Sequence, residues 1–282
     1  MPASGGFAKR EGPIAGGQGA DALILPLFCG KSVRMMQARH PKDVMSDRPV
    51  SAFHLKGIDL ILPQGLATPD IAQKLRDGTY EEDEANAAFR TVREGFRVLE
   101  LGAGLGYVTA ICAQRTAPEN VMSVEANPAL LPVITDNLAR NGLSGVNLIH
   151  AAVTGPSGAR QTGEFRLSEG FTGSSLDGRG RPISVPLVSV HELIQSHKPH
   201  VVLMDVEGAE AAMFDRPWKC PLRYCVLELH PRKYPPKVIK RIVDHMSQMG
   251  LTYDPNTSRG KILGFRKVWE HEPNMAKAEQ RG

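Results

Sequence analysis

VLELGAGLGYVT, residues 98–109, sets three glycines between an apolar run and a stretch of helix formers. Val98 to Leu101 reads as a short buried strand, and Tyr107 onward reads as a helix with Val108, Ile111 and Cys112 on one face. Gly102, Gly104 and Gly106 fall between them. Glycines at such a junction permit a tight turn and let a ligand approach the backbone at the positive end of a helix. Dinucleotide-binding folds use the same device, but there the spacing is G-x-G-x-x-G. Here it is G-x-G-x-G, with Glu100 two residues before the first glycine. A carboxylate there is poorly placed for a pyrophosphate, and the expectation is that it holds the ammonium of an amino-acid ligand, directly or through water.

Outward from the loop, strands and helices alternate. VMSVEA, residues 121–126, is the next predicted strand and ends at Glu125, where an acid can take both hydroxyls of a ribose. Ribose plus an aminoacyl group without phosphate describes S-adenosylmethionine. A helix follows, with Asn127 as N-cap, Pro128 at its first position and Gly142 as its stop. Residues 146–153 predict a third strand, 189–196 a helix, 200–205 a strand, 207 onward a helix, and 224–230 a strand. A helix near 236–249 precedes two short strands, near 251–254 and 261–268, joined by a turn-rich segment as an antiparallel edge hairpin. Such alternation predicts a parallel sheet covered on both faces. Residues 154–182 break the alternation; within them SEGFTGSSLDGRGRP, residues 168–182, predicts a mobile surface loop, and 169–182 a lid or acceptor-binding element whose Arg179 and Arg181 could meet an anionic or polyhydroxylated acceptor.

The domain plan follows from these shifts in pattern. Residues 1–19 predict a disordered tail and 20–94 an appendage, with a hairpin turning at Lys56-Gly57 and a helix from 69 to 93. Residues 95–270 predict the main domain and 271–282 a flexible tail.

A second motif is VVLMDVEGAE, residues 201–210, in which an apolar run meets Asp205, Glu207 and Glu210. In a doubly wound sheet, ligands gather at the carboxyl ends of the strands near the switch point. This strand tip therefore belongs beside the glycine loop. Residues 207 and 210 of a helix starting there would share one face. Asp205 and Glu207 are read as lining the reaction point, His230 or Glu207 as general base, and Glu210 as structural, paired with an arginine. A first-turn position favoured by the helix dipole would also explain Glu207 and Glu210 without any function.

Taken together, GTYEEDE (78–84), VLELGAGLGYVTA (98–110), SVEANP (123–128), MDVEGAE (204–210) and LELH (227–230) resemble the FkbM-type class I methyltransferases. The resemblance covers about residues 50–268 and implies a seven-stranded, Rossmann-like doubly wound α/β sheet with an antiparallel edge hairpin. It implies S-adenosylmethionine as methyl donor and S-adenosylhomocysteine as product. It further implies cofactor contacts from Glu81 or Glu82, Glu100, Gly102, Gly104, Gly106, Tyr107, Glu125, Ala126 and Asp205, with the backbone of 150–152, Ala151 at its centre, framing the adenine. The activity it implies is O-methylation of a sugar, glycan or small natural product. Many relatives carry Asp where Glu100 stands.

Bulk composition narrows the classes. The chain has 282 residues, 41% hydrophobic and 23% charged, with a formal net charge of +4. That is a globular composition with ample core material and no dense basic block, so a nucleic-acid partner is not expected. Four scattered cysteines give neither a disulfide framework nor a zinc site, and no run suits a membrane span. ALILPLFC, residues 22–29, is broken by Pro26 and has Phe28 before Cys29, so a plain N-terminal segment and a cytoplasmic location are expected. No metal is expected. A nucleic-acid methyltransferase, a dinucleotide-dependent oxidoreductase and a non-catalytic cofactor-binding module remain open alternatives. The oligomeric state is also open, a homodimer included.

Overall fold

The computed structural model describes residues 50–156, 161–168, 171–176 and 179–269. The expected tails at 1–19 and 271–282, and the 22–29 segment, lie outside the described residues. The described chain opens with a hairpin of β1 (Val50–Leu55) and β2 (Ile58–Pro63), and it reverses at Lys56-Gly57 with φ of 45° and 86°. Helices α1 (Pro69–Asp77) and α2 (Glu82–Thr91) follow. A single helix from 69 to 93 was the expectation, and the structure breaks it. Gly78 takes φ 70° and its N–H closes on Leu75 O, a left-handed stop that glycine adopts without steric cost. The break lets Tyr80 turn into the core, where it is 3% exposed.

The doubly wound unit then runs β3 (Val98–Leu101), α3 (Tyr107–Arg115), β4 (Val121–Glu125), α4 (Leu131–Arg140) and β5 (Asn147–His150). After β6 (Ala152–Thr154), β7 (Thr162–Leu167), β8 (Arg181–Ser189) and α5 (Val190–His197), it returns to β9 (Val201–Met204). A single turn α6 (Glu210–Met213), then β10 (Tyr224–Glu228), α7 (Pro236–Gln248), β11 (Leu251–Tyr253) and β12 (Ile262–Lys267), complete it. The seven-stranded sheet has the order β11-β12-β10-β9-β3-β4-β5. The five strands from β10 to β5 are parallel, while β12 is antiparallel to both β10 and β11. The five parallel strands are short, and β3, β4 and β9 are buried throughout their length. That is why their sequences show no alternation.

The chain winds from β3 to β4 on one side and re-enters at β9 on the other. The switch point therefore lies between β3 and β9, whose last residues Leu101 and Met204 pair in register. Gly102 and Asp205 leave the sheet side by side as a result. Asp205 N still donates to Leu101 O at 2.9 Å, and Gly102 N to Val124 O at 2.9 Å. One face of the sheet packs Val98, Val201 and Val226 with Ile111 and Ile134, and the other packs Leu101, Val202 and Leu227 with Phe214 and Ile242. Helix α7 buries Val238, Ile242 and Met246, a stripe at four-residue spacing. The β1–β2 hairpin is tied to the glycine loop through buried Asn137. Its Oδ1 accepts from Ile61 N at 2.7 Å and its Nδ2 donates to Leu105 O at 2.8 Å.

Three local expectations change. Asn127 does not start α4. Its side chain accepts from Ala129 N at 3.0 Å, capping a separate turn before Leu131. The strand expected over 146–153 is two strands: β5 stays in the main sheet, and β6 leaves to pair with β8. Residues 154–182, expected only as a break in the alternation, contain β7, which ends just before the expected loop and pairs antiparallel with β8 from Thr162↔Pro186 to Leu167↔Arg181. Glycine and proline in these strands hid the pairing. Gly163 faces Leu187, which leaves no room for a Cβ there, and Pro182 and Pro186 lie on the part of β8 that pairs with β7 alone, before β6 joins its other side at Leu187.

Candidate active site

All three glycines of the loop have positive φ: 91° at Gly102, 54° at Gly104 and 78° at Gly106. A Cβ at Gly102 would stand 1.9 Å from Asp205 O, so a side chain there would push β3 and β9 apart. A Cβ at Gly104 would fall 2.8 Å from a Glu81 carboxylate oxygen and 2.9 Å from the Tyr80 hydroxyl. These two glycines border a cavity, whereas Gly106 caps α3 and packs against Ile134.

Glu125 ends β4 on the rim of that cavity. Its Oε2 accepts from Gly104 N at 3.1 Å and its Oε1 from Asn127 N at 2.7 Å. Burial pushes its pKa up to about 7 against the pull of those N–H groups. Glu100 behaves differently from expectation. It lies beneath the loop, where Ser123 Oγ donates to it at 2.5 Å and Thr109 Oγ1 donates to the same oxygen. It does not line the cavity. Burial likewise raises it to about 7, with the two hydroxyls opposing. Its observed contacts hold α3 to β4 and none reaches the ligand space.

Of the acids in GTYEEDE, Glu81 is the one that reaches the loop. Its backbone is left-handed, φ 46°, and its carboxylate borders the cavity, while Glu82 points outward to Lys56 at 3.7 Å. Burial first, then the charge of Glu84, raises Glu81 well above the usual carboxylate range. Tyr80 and Tyr107 are buried beside it with ring centroids 6.3 Å apart, and neither hydroxyl has a hydrogen-bond partner of regular geometry. The Tyr107 phenol is pushed up to about 12 by burial and by Glu81.

The helix expected from Glu207 is absent. Glu207 takes φ 51° and Gly208 φ 103°, and only Glu210–Met213 closes a helical turn. The shared-face argument for 207 and 210 therefore fails, yet the acids still converge, on His230. Its Nδ1 lies 2.9 Å from Glu210 Oε1, and its Nε2 lies 3.3 Å from Glu207 Oε2 and 3.5 Å from Asp205 Oδ1. Glu210, expected to pair with an arginine, is fully buried and pairs with this histidine. A carboxylate on Nδ1 fixes the ring and leaves Nε2 turned toward Asp205. Burial alone would lower the His230 pKa; the hydrogen bond and charge of Glu210, then Asp205 and Glu207, outweigh it and raise it. Asp205 is pushed up to about 8 by burial, with the Glu228 and Glu207 charges adding. Glu207 also receives Gly173 N at 2.8 Å and Lys233 Nζ at 2.9 Å.

Two cavities meet at Asp205 and Glu207, and His230 and Glu210 border neither. The first, about 730 Å³, has Gly102, Gly104 and Glu125 at its polar end and an apolar slot between Ala126, Leu130, Ala151 and Phe165. His150 is turned away to Ala126 O and does not border it. The segment 171–176 closes one side, and sequence reading gave no sign that Phe165 and Phe171 would line the slot. The second cavity, about 980 Å³, lies between α1, α2 and the tips of β9 and β10. Glu81, Thr172, Asp205 and Glu207 border both. Arg179 borders a separate side cavity, and neither Arg179 nor Arg181 reaches the second one. Among the described residues, one group has metal-ligand spacing: single donor atoms of Asp205, Glu228 and His230 lie within 4.8 Å of one another.

The strand order, with its one antiparallel strand beside the edge, and a glycine loop at the switch point define the Rossmann-like class I methyltransferase fold. Within that class the chain belongs to the FkbM methyltransferase family, whose domain model matches residues 100–253. It is 41% identical over 61 residues to a protein-L-isoaspartate O-methyltransferase of Methanococcoides burtonii, a match covering 21% of this chain and 30% of that protein. Among solved structures it is similar to the precorrin-6y C5,15-methyltransferase of Geobacter metallireducens, at 14% identity, 73% and 95% coverage and a TM-score of 0.42. It is also similar to a putative S-adenosylmethionine-dependent methyltransferase of Streptococcus mutans, at 11% identity, 77% and 55% coverage and a TM-score of 0.44. Among the described residues no helix is long and apolar enough to cross a membrane.

Proposed function

We propose that the protein is an S-adenosylmethionine-dependent O-methyltransferase acting on a hydroxyl of a sugar, glycan or small natural product. The observation that carries this reading is that the glycine-loop cavity opens into a second cavity through Asp205, with His230 Nε2 3.5 Å from Asp205 Oδ1. The first cavity suits the donor. Glu125 would receive the ribose hydroxyls, the Ala126–Ala151 slot would take the adenine, and Glu81 with Asp205 would face the ammonium and sulfonium charge. The Tyr80 hydroxyl and a Glu81 carboxylate oxygen converge on the spot that a Cβ on Gly104 would fill, which suits a small polar group of the donor.

S-adenosylmethionine, when bound, supplies an electrophilic methyl group whose carbon–sulfur electron pair leaves with sulfur, giving S-adenosylhomocysteine. The chain's part is to orient the hydroxyl and remove its proton as the oxygen–carbon bond forms. In this reading the proton passes by way of Asp205, which borders both cavities while His230 borders neither, to His230 Nε2, with Glu210 holding Nδ1–H and Glu207 balancing the charge that develops. The reading is metal-free. Activity that survives EDTA supports this, and a loss restored by magnesium overturns it.

The test is calorimetry followed by labelled methyl transfer. S-adenosylhomocysteine should bind and NAD should not, and the label should enter a base-stable methyl ether. A base-labile methyl ester, or full transfer by both Glu207→Gln and His230→Ala with the cofactor bound normally, defeats the assignment. The cytoplasmic location is part of the same proposal, as is the absence of a nucleic-acid partner, which the acid lining of the second cavity supports.

A further inference from the structure

The side cavity bordered by Arg179, about 950 Å³, differs in charge from the other two. Its floor is apolar, made by Val153, Leu176, Ala209, Ala211 and Ala212. Among the described residues its wall carries one acid, Glu207, and two cations, Arg179 and Lys233. The acid is already satisfied. Lys233 Nζ donates to its Oε2 at 2.9 Å and Gly173 N to its Oε1 at 2.8 Å. Gly208 of the DVEGAE stretch gives Lys233 its place: φ is 103°, and a Cβ there would stand 2.8 Å from Lys233 Cδ. Arg179 has no carboxylate partner among the described residues. Neither has Arg241, which reaches across from α7 to donate to Ala211 O.

A second observation is independent of charge. Ser175 is 4% exposed and borders this cavity but neither of the others, and its hydroxyl has no hydrogen-bond partner. Buried hydroxyls are normally paired, so this one points to a ligand atom. Guanidinium and ammonium groups only donate, and a hydroxyl can join them as a donor. That set matches an oxyanion, whereas a cation would be repelled and a neutral group would leave the Arg179 charge uncompensated. The second cavity sorts the opposite way, because eight of its lining residues are acids. Glu207 borders all three cavities and follows Asp205 by two residues, so it marks where the two environments join.

We propose that the side cavity seats the anionic end of the methyl acceptor, a hydroxylated molecule carrying a phosphate group. Its phosphate oxygens meet Arg179, Lys233 and Ser175 Oγ, and its hydroxyl lies past Glu207 at Asp205. This rests on the proposed O-methyltransferase reading and names its substrate class. Three donors brought from separate places in the chain suit a phosphate monoester, with three free oxygens, better than a planar carboxylate with two. The acids of the second cavity keep the phosphate out of that space, so the molecule is seated in one direction, with the neutral hydroxyl end toward the transfer point.

Four sugars of one ring size separate the possibilities: glucose 6-phosphate, glucuronate, glucose and glucosamine. Each is titrated by calorimetry into the full chain at pH 7.5 with S-adenosylhomocysteine saturating. Glucose 6-phosphate should bind about tenfold tighter than glucose, with glucuronate between them, and the preference should shrink in about 0.5 M salt. Arg179→Gln should remove most of the preference. Ser175→Ala should weaken phosphate binding about threefold with glucose unchanged, which keeps the test usable if the first variant folds poorly. Lys74→Gln, on the wall of the second cavity, should leave the preference as it is. Equal affinities, tighter binding of glucuronate or glucosamine than of the phosphate, no binding by any of the four, or a preference kept in both cavity variants overturns the proposal. So does a short single-stranded RNA that binds and is not displaced by glucose 6-phosphate, since the cations would then serve a nucleic acid. The S-adenosylhomocysteine titration separates the failures: if it binds without charge discrimination, only the acceptor class is wrong, and if it does not bind, the methyltransferase reading falls with it.

Discussion

Replacing Glu210 by glutamine keeps the shape of a fully buried side chain and removes only its charge, so it isolates what the carboxylate does for His230. The two groups are 2.9 Å apart, on side chains 0% and 10% exposed. While the imidazole is protonated, the wild-type bond joins two ions, and bonds of that kind contribute about 1.5–3 kcal/mol against about 0.5–1.5 kcal/mol for a neutral pair. The amide oxygen of the introduced glutamine would still accept from Nδ1–H, so the variant should lose roughly 1–2 kcal/mol at low pH. The pH dependence follows from the raised His230 pKa. A histidine that holds its proton more tightly when folded adds stability that is fully present below its unfolded pKa of about 6.5 and is lost as pH rises through the folded value. Above that value the wild type buries a carboxylate whose Oε2 has no partner, and the glutamine is no worse there. Urea unfolding of both proteins at pH 5.5 and pH 9 measures the difference directly. It should be about 1–2 kcal/mol at the lower pH and near zero or reversed at the higher. A destabilisation that is the same at both pH values would refute the dyad, because the carboxylate would then not be what holds the proton on His230.

S-adenosylhomocysteine binding should tighten as pH rises from 6 to 8.5, because Glu125 titrates near about 7 and its ionised form is the better acceptor for ribose hydroxyls. Glu125→Gln should bind more weakly and show a flat calorimetric profile, and a wild-type slope retained in that variant would point to another group. Gly102→Ala should destabilise by several times as much as Gly78→Ala. The first Cβ would meet Asp205 O at 1.9 Å, while the second meets nothing within 4 Å and costs only about 1 kcal/mol for its positive φ. Equal shifts in thermal melts would mean that the β3–β9 junction yields freely. Asn137→Ala strips the buried Ile61 N of its partner at 2.7 Å and should cost about 2–4 kcal/mol in urea unfolding. A loss below about 0.5 kcal/mol would show that the hairpin does not depend on that bond.

Where local sequence was enough, the structure and the reading agree. The reversal at Lys56-Gly57 sits between two alternating strands, and the buried runs at 98–101 and 201–204 are too short and apolar to be anything but interior strands. The glycine loop and its meeting with Asp205 followed from topology, since a doubly wound sheet sends both strand ends to the switch point. Where long-range packing decided, the reading went wrong. A Gly78 inside a helical pattern did not reveal that Tyr80 would turn inward. The break in the alternation at 154–182 concealed β7, whose pairing with β8 depends on residues far along the chain.

The carboxylates show the division most clearly. The sequence by itself determined which acids stand near the sheet's carboxyl edge, because strand order and motif spacing put them there: Glu81, Glu100, Glu125, Asp205, Glu207 and Glu210. Only the tertiary structure decided what each one faces. Glu100 was drawn beneath the loop by Ser123 and Thr109, hydroxyls supplied by β4 and α3. Glu210 found a histidine from the end of another strand. Among the described residues, Glu81 and Glu84 have no basic partner. Charge spacing along a chain fixes where acids cluster, but pairing depends on side chains brought from distant elements, and those distances exist only once the sheet has closed around them.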